Sequence, residues 1–315
     1  MIHAFSGGVG GAKLACGLAD VVPSQDLTIV VNTGDDFDHL GLRIMPDFDS
    51  VAYALAGLND TQRGWGRADE TWHCRDALAS LGVDTWFSLG DRDLATHLIR
   101  LSLLKAGASV TDAAAEIARR MGIACRLVPM SEEPVATMVV TEQGELSFQD
   151  YFVRRRCEPR VTAFRFAGVD RAVPSNAWFS SFAAGSTQGV VLCPSNPYVS
   201  IDPILALAGV RLRLRELPVI VVSPVVGGDA VKGPLAKMLR ELGVPCNPLT
   251  IATHYADFLD GILIDECDAE FAPELRRRGL RVAVCETLMT DRDVSRRLAQ
   301  ASVALLAECG AEHAA

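Results

Sequence analysis

Short continuous runs of valine, isoleucine and leucine, spaced by longer amphipathic stretches, constrain this chain more than any other feature. The runs lie at Ile2–Phe5, Leu27–Asn32, Thr85–Leu89, Ala136–Thr141, Gly189–Cys193, Pro218–Ser223, Gly261–Ile264 and Arg281–Val284. Several show no polar alternation, the pattern of strands covered on both faces. Helical patterning falls between them at Gly11–Ala19, Asp91–Lys105, Thr111–Met121, Ala230–Glu241 and Asp291–Ala307, with Asp91 and Thr111 as N-caps. Strand and helix in alternation predict an α/β fold with a doubly wound, mostly parallel sheet. The stretch Asn59–Cys74 is polar and tryptophan-containing and reads as a loop. Residues 91–130 read as a helix-rich subdomain within one domain spanning 1–315.

Bulk composition narrows the class. Hydrophobic residues make up 49% and charged residues 22%, a globular balance rather than a disordered one. The net charge of −9, with both signs mixed along the chain, argues against a nucleic-acid binder. Nine scattered cysteines with no CxxC pair read as reduced thiols. Residues 1–5 run into a glycine loop without a leader pattern, and no apolar run has the length of a membrane span, so a cytoplasmic location is expected.

Two motifs carry chemistry. The first strand runs into Ser6-Gly7-Gly8-Val9-Gly10-Gly11-Ala12-Lys13, where backbone N–H groups and a helix N-terminus suit a phosphate. Gly7, Gly8, Gly10 and Gly11 allow the close approach, and Lys13 adds a cation. The loop fails the Walker A pattern, because Lys13 follows Ala12 and precedes Leu14. It also fails the dinucleotide fingerprint, because Lys13 stands at the third glycine position, which weakens an NAD(P)-dependent oxidoreductase. The second motif is acidic: Asp35, Asp36 and Asp38 follow the second strand, and Asp47 and Asp49 precede a helix over Ser50–Leu58. Carboxylates crowded at the carboxyl end of a strand need a cation or donors, and Mg²⁺ commonly bridges such acids to phosphates. Asp35, Asp36, Asp47 and Asp49 are therefore the candidate metal ligands. Two later loops stand where ligands bind: Pro194-Ser195-Asn196-Pro197, and Ser223–Gly228 with Lys232 beyond it. Ser195, Asn196, Pro197, Gly227, Gly228 and Lys232 join the donor-binding candidates, against the alternative that they are ordinary turn residues. His39, His73, His97 and His254 lack ligand-like spacing and are given no role.

Taken in order, the runs Ser6–Leu14, Val31–Asp36, Pro46–Ser50, Leu89–Thr96, Leu127–Pro134, Pro194–Pro197 and Ser223–Pro234 resemble the 2-phospho-L-lactate transferase family of coenzyme F420 biosynthesis. The resemblance implies a Rossmann-like, Mg²⁺-dependent homodimer. It implies transfer of a phospho-three-carbon acid from its guanosine diphosphate ester to the ribityl hydroxyl of the deazaflavin Fo, with release of GMP. The acid is a 2-phospholactyl, enolpyruvyl or 3-phosphoglyceryl group, and a partner guanylyltransferase supplies the donor. By the same matching Asp49, Ser88 and Arg92 contact Fo, and Asp36 or Asp49 acts as the base. Archaeal relatives tend to carry lysine where this chain has Ser88. A nucleotide-sugar-binding regulator is the non-catalytic alternative, because a related family shares the glycine loop.

Overall fold

The computed structural model describes residues 1–231 and 233–313. Seven strands form the central sheet: β1 (Ile2–Ser6), β2 (Leu27–Val31), β3 (Arg126–Pro129), β4 (Gly189–Leu192), β5 (Val219–Val222), β6 (Gly261–Ile264) and β7 (Arg281–Val284). Their order is β7-β6-β5-β4-β1-β2-β3, and every pair is parallel. In register, Ala4 lies between Ile29 and Val191. The chain moves outward from β1 through β2 to β3, then returns to the other side of β1 for β4. That reversal opens a crevice between β1 and β4 at their carboxyl ends, where doubly wound sheets bind ligands.

The uninterrupted apolar strands are buried on both faces, as parallel strands must be when helices cover them. On one face α1 (Gly8–Val21) packs between α2 (Pro46–Leu55) and the long helix Arg292–His313, joining Leu14, Leu18, Phe48, Leu298 and Leu305 in one core. The other face is filled by Trp178, Phe182, Ile204, Leu239, Tyr255 and Leu275. Among the described residues no helix is long and apolar enough to cross a membrane.

Two expectations change. Thr85–Leu89 is not a strand. Trp86 and Phe87 instead pack with Phe37 and His39, ring centroids 4.8–5.9 Å apart, in an aromatic cluster outside the sheet. Ala136–Thr141 is a strand but belongs to a separate antiparallel sheet with Gly144–Ser147 and Val161–Ala167. Its alternating burial is the period-two signature of a half-covered strand. Residues 91–130 are helix-rich and end in the central sheet. The helices α4 (Asp91–Lys105) and α5 (Val110–Arg120) are followed by β3, a short edge strand ending on a proline.

Helix capping also differs. The helix α3 (His73–Ser80) precedes α4, and Asp91 caps α3 rather than α4 by accepting from the N–H groups of His73 and Cys74. Glu70 returns the arrangement, accepting from Arg92 and Asp93 N–H at 2.7 and 2.8 Å. The loop before α3 is thereby tied to the start of α4. For α5 the cap is Ser109, not Thr111.

Candidate active site

The crevice at the β1/β4 reversal deepens into a cavity of about 740 Å³. Its floor is the glycine loop. Gly8 has φ +63°, a left-handed conformation that side chains with a Cβ resist. A Cβ on Gly10 would stand 2.4 Å from the carbonyl oxygen of Pro194, so only glycine lets the loops after β1 and β4 touch. Ser195 locks that contact: its hydroxyl donates to Gly7 O at 2.8 Å and accepts from Gly7 N at 3.1 Å. Gly7, Gly8, Val9, Gly10 and Lys13 line the cavity, whereas Gly11 is packed against Ser6 and Ser195 behind it. Lys13 reaches the carbonyl of Met289, another lining residue.

One anion already sits at the N-terminus of α1. Gly8 N–H donates to Asp47 Oδ1 at 2.8 Å, and Asn32 Nδ2 donates to Asp47 Oδ2 at 2.9 Å. Asn32 also holds the turn that delivers Asp35, accepting from Gly34 N–H at 2.8 Å. Asp35 and Asp47 both line the cavity and are buried. Burial, then repulsion from Asp47, pushes the Asp35 carboxyl well above the usual carboxylate range, and burial raises Asp47 too. The Thr137 and Asn32 side chains partly offset the rise, yet Asp35 Oδ1 lacks a well-formed hydrogen bond. Two neighbouring buried carboxylates with an orphaned oxygen suit a bound cation. Among the described residues no three His, Cys, Asp or Glu side chains converge on one point. A Mg²⁺ held by this pair would take the rest of its shell from water and substrate phosphate. Asp36 points elsewhere. It pairs with Arg43 at 3.1 Å, outside the cavity lining, and burial pushes it up to about 8.

Asp49 lines the opposite side of α2's first turns. Both its oxygens accept from Arg100, Oδ2 from Nη1 at 3.1 Å and Oδ1 from Nη2. Arg100 Nη1 also donates to His97 Nδ1 at 3.0 Å. His97 Nε2 lies 3.3 Å from Asp93 Oδ1, and Tyr53 donates its hydroxyl to that same oxygen at 2.6 Å. Burial raises Asp93, but His97, Tyr53 and Arg100 together hold it below its ordinary value. Asp49, Tyr53, Asp93 and His97 face the cavity, with Arg100 behind them.

Aromatic rings supply another wall. Trp65, Trp86, Phe87, Phe148 and Phe152 line the cavity, with Phe148 and Phe152 stacked at 5.4 Å. Ser88 is beside them, but Arg92 is exposed and pairs with Asp69 at 3.6 Å. Asn196 lines the floor, while its Oδ1 accepts from Tyr198 N–H in the turn that Pro197 begins. Gly227 and Gly228, with φ +59° and +80°, make the two-residue turn of the hairpin Val225–Val226/Asp229–Ala230 and do not line the cavity. Lys232 lies outside the described residues. Sequence reasoning missed Tyr53, Asp93, His97, Arg100 and the aromatic wall. The i, i+4, i+7 spacing of Asp93, His97 and Arg100 on α4, and the i, i+4 spacing of Asp49 and Tyr53 on α2, carried that signal.

The comparisons with known proteins agree over nearly the whole chain. The family model for 2-phospho-L-lactate transferase CofD matches residues 2–301. A 2-phospho-L-lactate transferase of Methanosarcina mazei is 38% identical over 298 residues, 94% of this chain and 97% of that protein. A phosphoenolpyruvate transferase of Streptomyces griseus is 38% identical over 315 residues, 98% of each chain. Among solved structures, a upf0052 family protein of Bacillus halodurans matches with TM-score 0.63 at 14% identity, covering 96% of this chain and 98% of that one, a likeness of fold alone. The chain is an enzyme, a transferase, and belongs to the 2-phospho-L-lactate transferase family.

Proposed function

We propose that this enzyme acts in coenzyme F420 biosynthesis, moving a phospho-three-carbon acid from its guanosine diphosphate ester to the ribityl hydroxyl of Fo and releasing GMP. One observation supports this most: a single cavity joins the glycine-lined N-terminus of a helix, a buried carboxylate pair and an aromatic wall. The first-turn N–H groups of α1 around Val9 and Gly10 hold the diphosphate, and Ser195 keeps their loop in shape. Asp35 and Asp47 hold Mg²⁺, which neutralises phosphate charge when bound. The aromatic residues stack on the flat deazaflavin ring. Asp49 accepts a hydrogen bond from the attacking hydroxyl and aims its oxygen at the phosphorus that carries the three-carbon acid. A new O–P bond forms there, the P–O bond to GMP breaks, and the hydroxyl proton passes through the carboxylate to solvent. A homodimer is part of the same reading, as is a guanylyltransferase that supplies the donor.

The test is incubation of the purified protein with Fo, Mg²⁺ and the guanosine diphosphate ester of each acid in turn, with products read by mass. One ester yielding GMP and an Fo phosphodiester is the expected result. GMP release without an Fo adduct, or no product with any ester, contradicts the reading.

A further inference from the structure

Arg100 is 1% exposed and does not itself line the cavity. A buried guanidinium is costly unless its donors are used, so its partners show what it is for. Two are backbone or ring acceptors, Arg43 O at 3.2 Å and His97 Nδ1 at 3.0 Å; the third is the Asp49 carboxylate, gripped by both terminal nitrogens. Arginine can only donate, so His97 Nδ1 must accept and the ring proton sits on Nε2. His97, also 1% exposed, therefore presents an N–H toward Asp93, 3.3 Å away, without completing a hydrogen bond in this state. Tyr53 supplies the second donor to Asp93. The result is a pair of carboxylates on one cavity wall, each fixed from behind. An ionised carboxylate offers about four lone-pair sites. With the donors of Arg100 on Asp49 and of Tyr53 on Asp93 taking only some of them, both acids keep acceptor capacity toward the cavity. Oriented carboxylate oxygens on this wall accept from hydroxyls and repel an anion.

We propose that Arg100, through its two-pronged hold on Asp49 and its bond to His97, is the positioning residue that sets Asp49 and Asp93 to bind the vicinal hydroxyls of a polyol acceptor. The inference rests on the acceptor assignment made above and adds how the polyol chain is recognised. Tyr53 holds Asp93 by a hydrogen bond, and the His97 N–H faces the same oxygen. Losing the arrangement releases the hydroxyls but leaves the ring stacked on its aromatic wall.

The experiment compares two probes, Fo and a deazaflavin carrying a methyl group in place of the ribityl chain, by fluorescence titration. Wild-type protein is expected to prefer Fo. In Arg100→Met that preference falls about tenfold or more, the loss of one or two hydrogen bonds to charged groups. The methyl probe and guanosine diphosphate bind as before. A merely structural role would weaken every ligand alike. If Arg100→Met does not fold, Tyr53→Phe and Asp93→Asn carry the same comparison, each expected to lose part of the preference. An unchanged preference in these variants, or a wild-type protein that binds both probes equally, overturns the proposal. A wild-type protein that binds neither probe overturns the acceptor assignment instead.

Discussion

His3 lies in β1 with no exposed surface, its ring edge-on to Phe182 at 5.5 Å and near Trp178 at 6.4 Å. Burial lowers its pKa to about 4 from an ordinary 6.5. A depressed histidine binds protons more tightly when unfolded, so its contribution is present above pH 6.5 and is lost as pH falls toward 4. His3→Phe, which keeps the aromatic contacts, should remove about 3 kcal/mol of that acid sensitivity, checked by urea unfolding at both pH values. Equal losses in both proteins would contradict the account. Gly10 is a second single-residue test. Because an added Cβ meets Pro194 O, Gly10→Ala should pry the two loops apart, costing about 1–3 kcal/mol of stability and at least ~10-fold in guanosine diphosphate affinity. Calorimetric titration showing wild-type affinity would mean the loop contact does not shape the site. The glycine loop was legible in sequence because few residue types satisfy its geometry. Arg100 was not, since its partner Asp49 is 51 positions away and a lone arginine mid-helix reads as surface.

At the level of elements, legibility followed coverage. The strand β6 matches its apolar run, since a strand buried by helices needs no polar alternation, and the half-buried edge strand β7 matches its run as well. The edge strand β3 was hidden because Arg126-Leu127-Val128-Pro129 has only two apolar residues before its proline, which reads as a stop. Thr85–Leu89 has strand-like residues, but its aromatic rings find better packing on Phe37 than any place in the sheet. The element that matters most for ligand binding is the start of α1, where Asp47 occupies one N–H group. Asp47→Asn keeps an acceptor for Gly8 but removes the charge. We expect Mg²⁺ to strengthen guanosine diphosphate binding in the wild type and to do so at least ~10-fold less in the variant. Titrations with and without Mg²⁺ decide it, and an undiminished metal effect would exclude Asp47 as a ligand.

Across the whole molecule, the reversal of strand order brings together loops separated by nearly two hundred residues, the first after β1 and the second after β4. That juxtaposition could be expected from alternating strands and helices, but which side chains meet in the crevice could not. Ligand should bridge the two loops and stabilise the fold. Guanosine diphosphate with Mg²⁺ at about 100 times its dissociation constant adds roughly 2.7 kcal/mol, seen as a rise in melting temperature of several degrees that a chelator reverses. No shift at saturation would argue against a preformed site. The most direct measurement of the central claim is a crystal structure with guanosine diphosphate, Mg²⁺ and Fo bound. The account predicts the diphosphate against Val9, Gly10 and Ser195, the metal between Asp35 and Asp47, and the deazaflavin ring on the aromatic wall with its hydroxyls toward Asp49 and Asp93. A nucleotide seated outside this cavity, or a metal held by neither Asp35 nor Asp47, would contradict it.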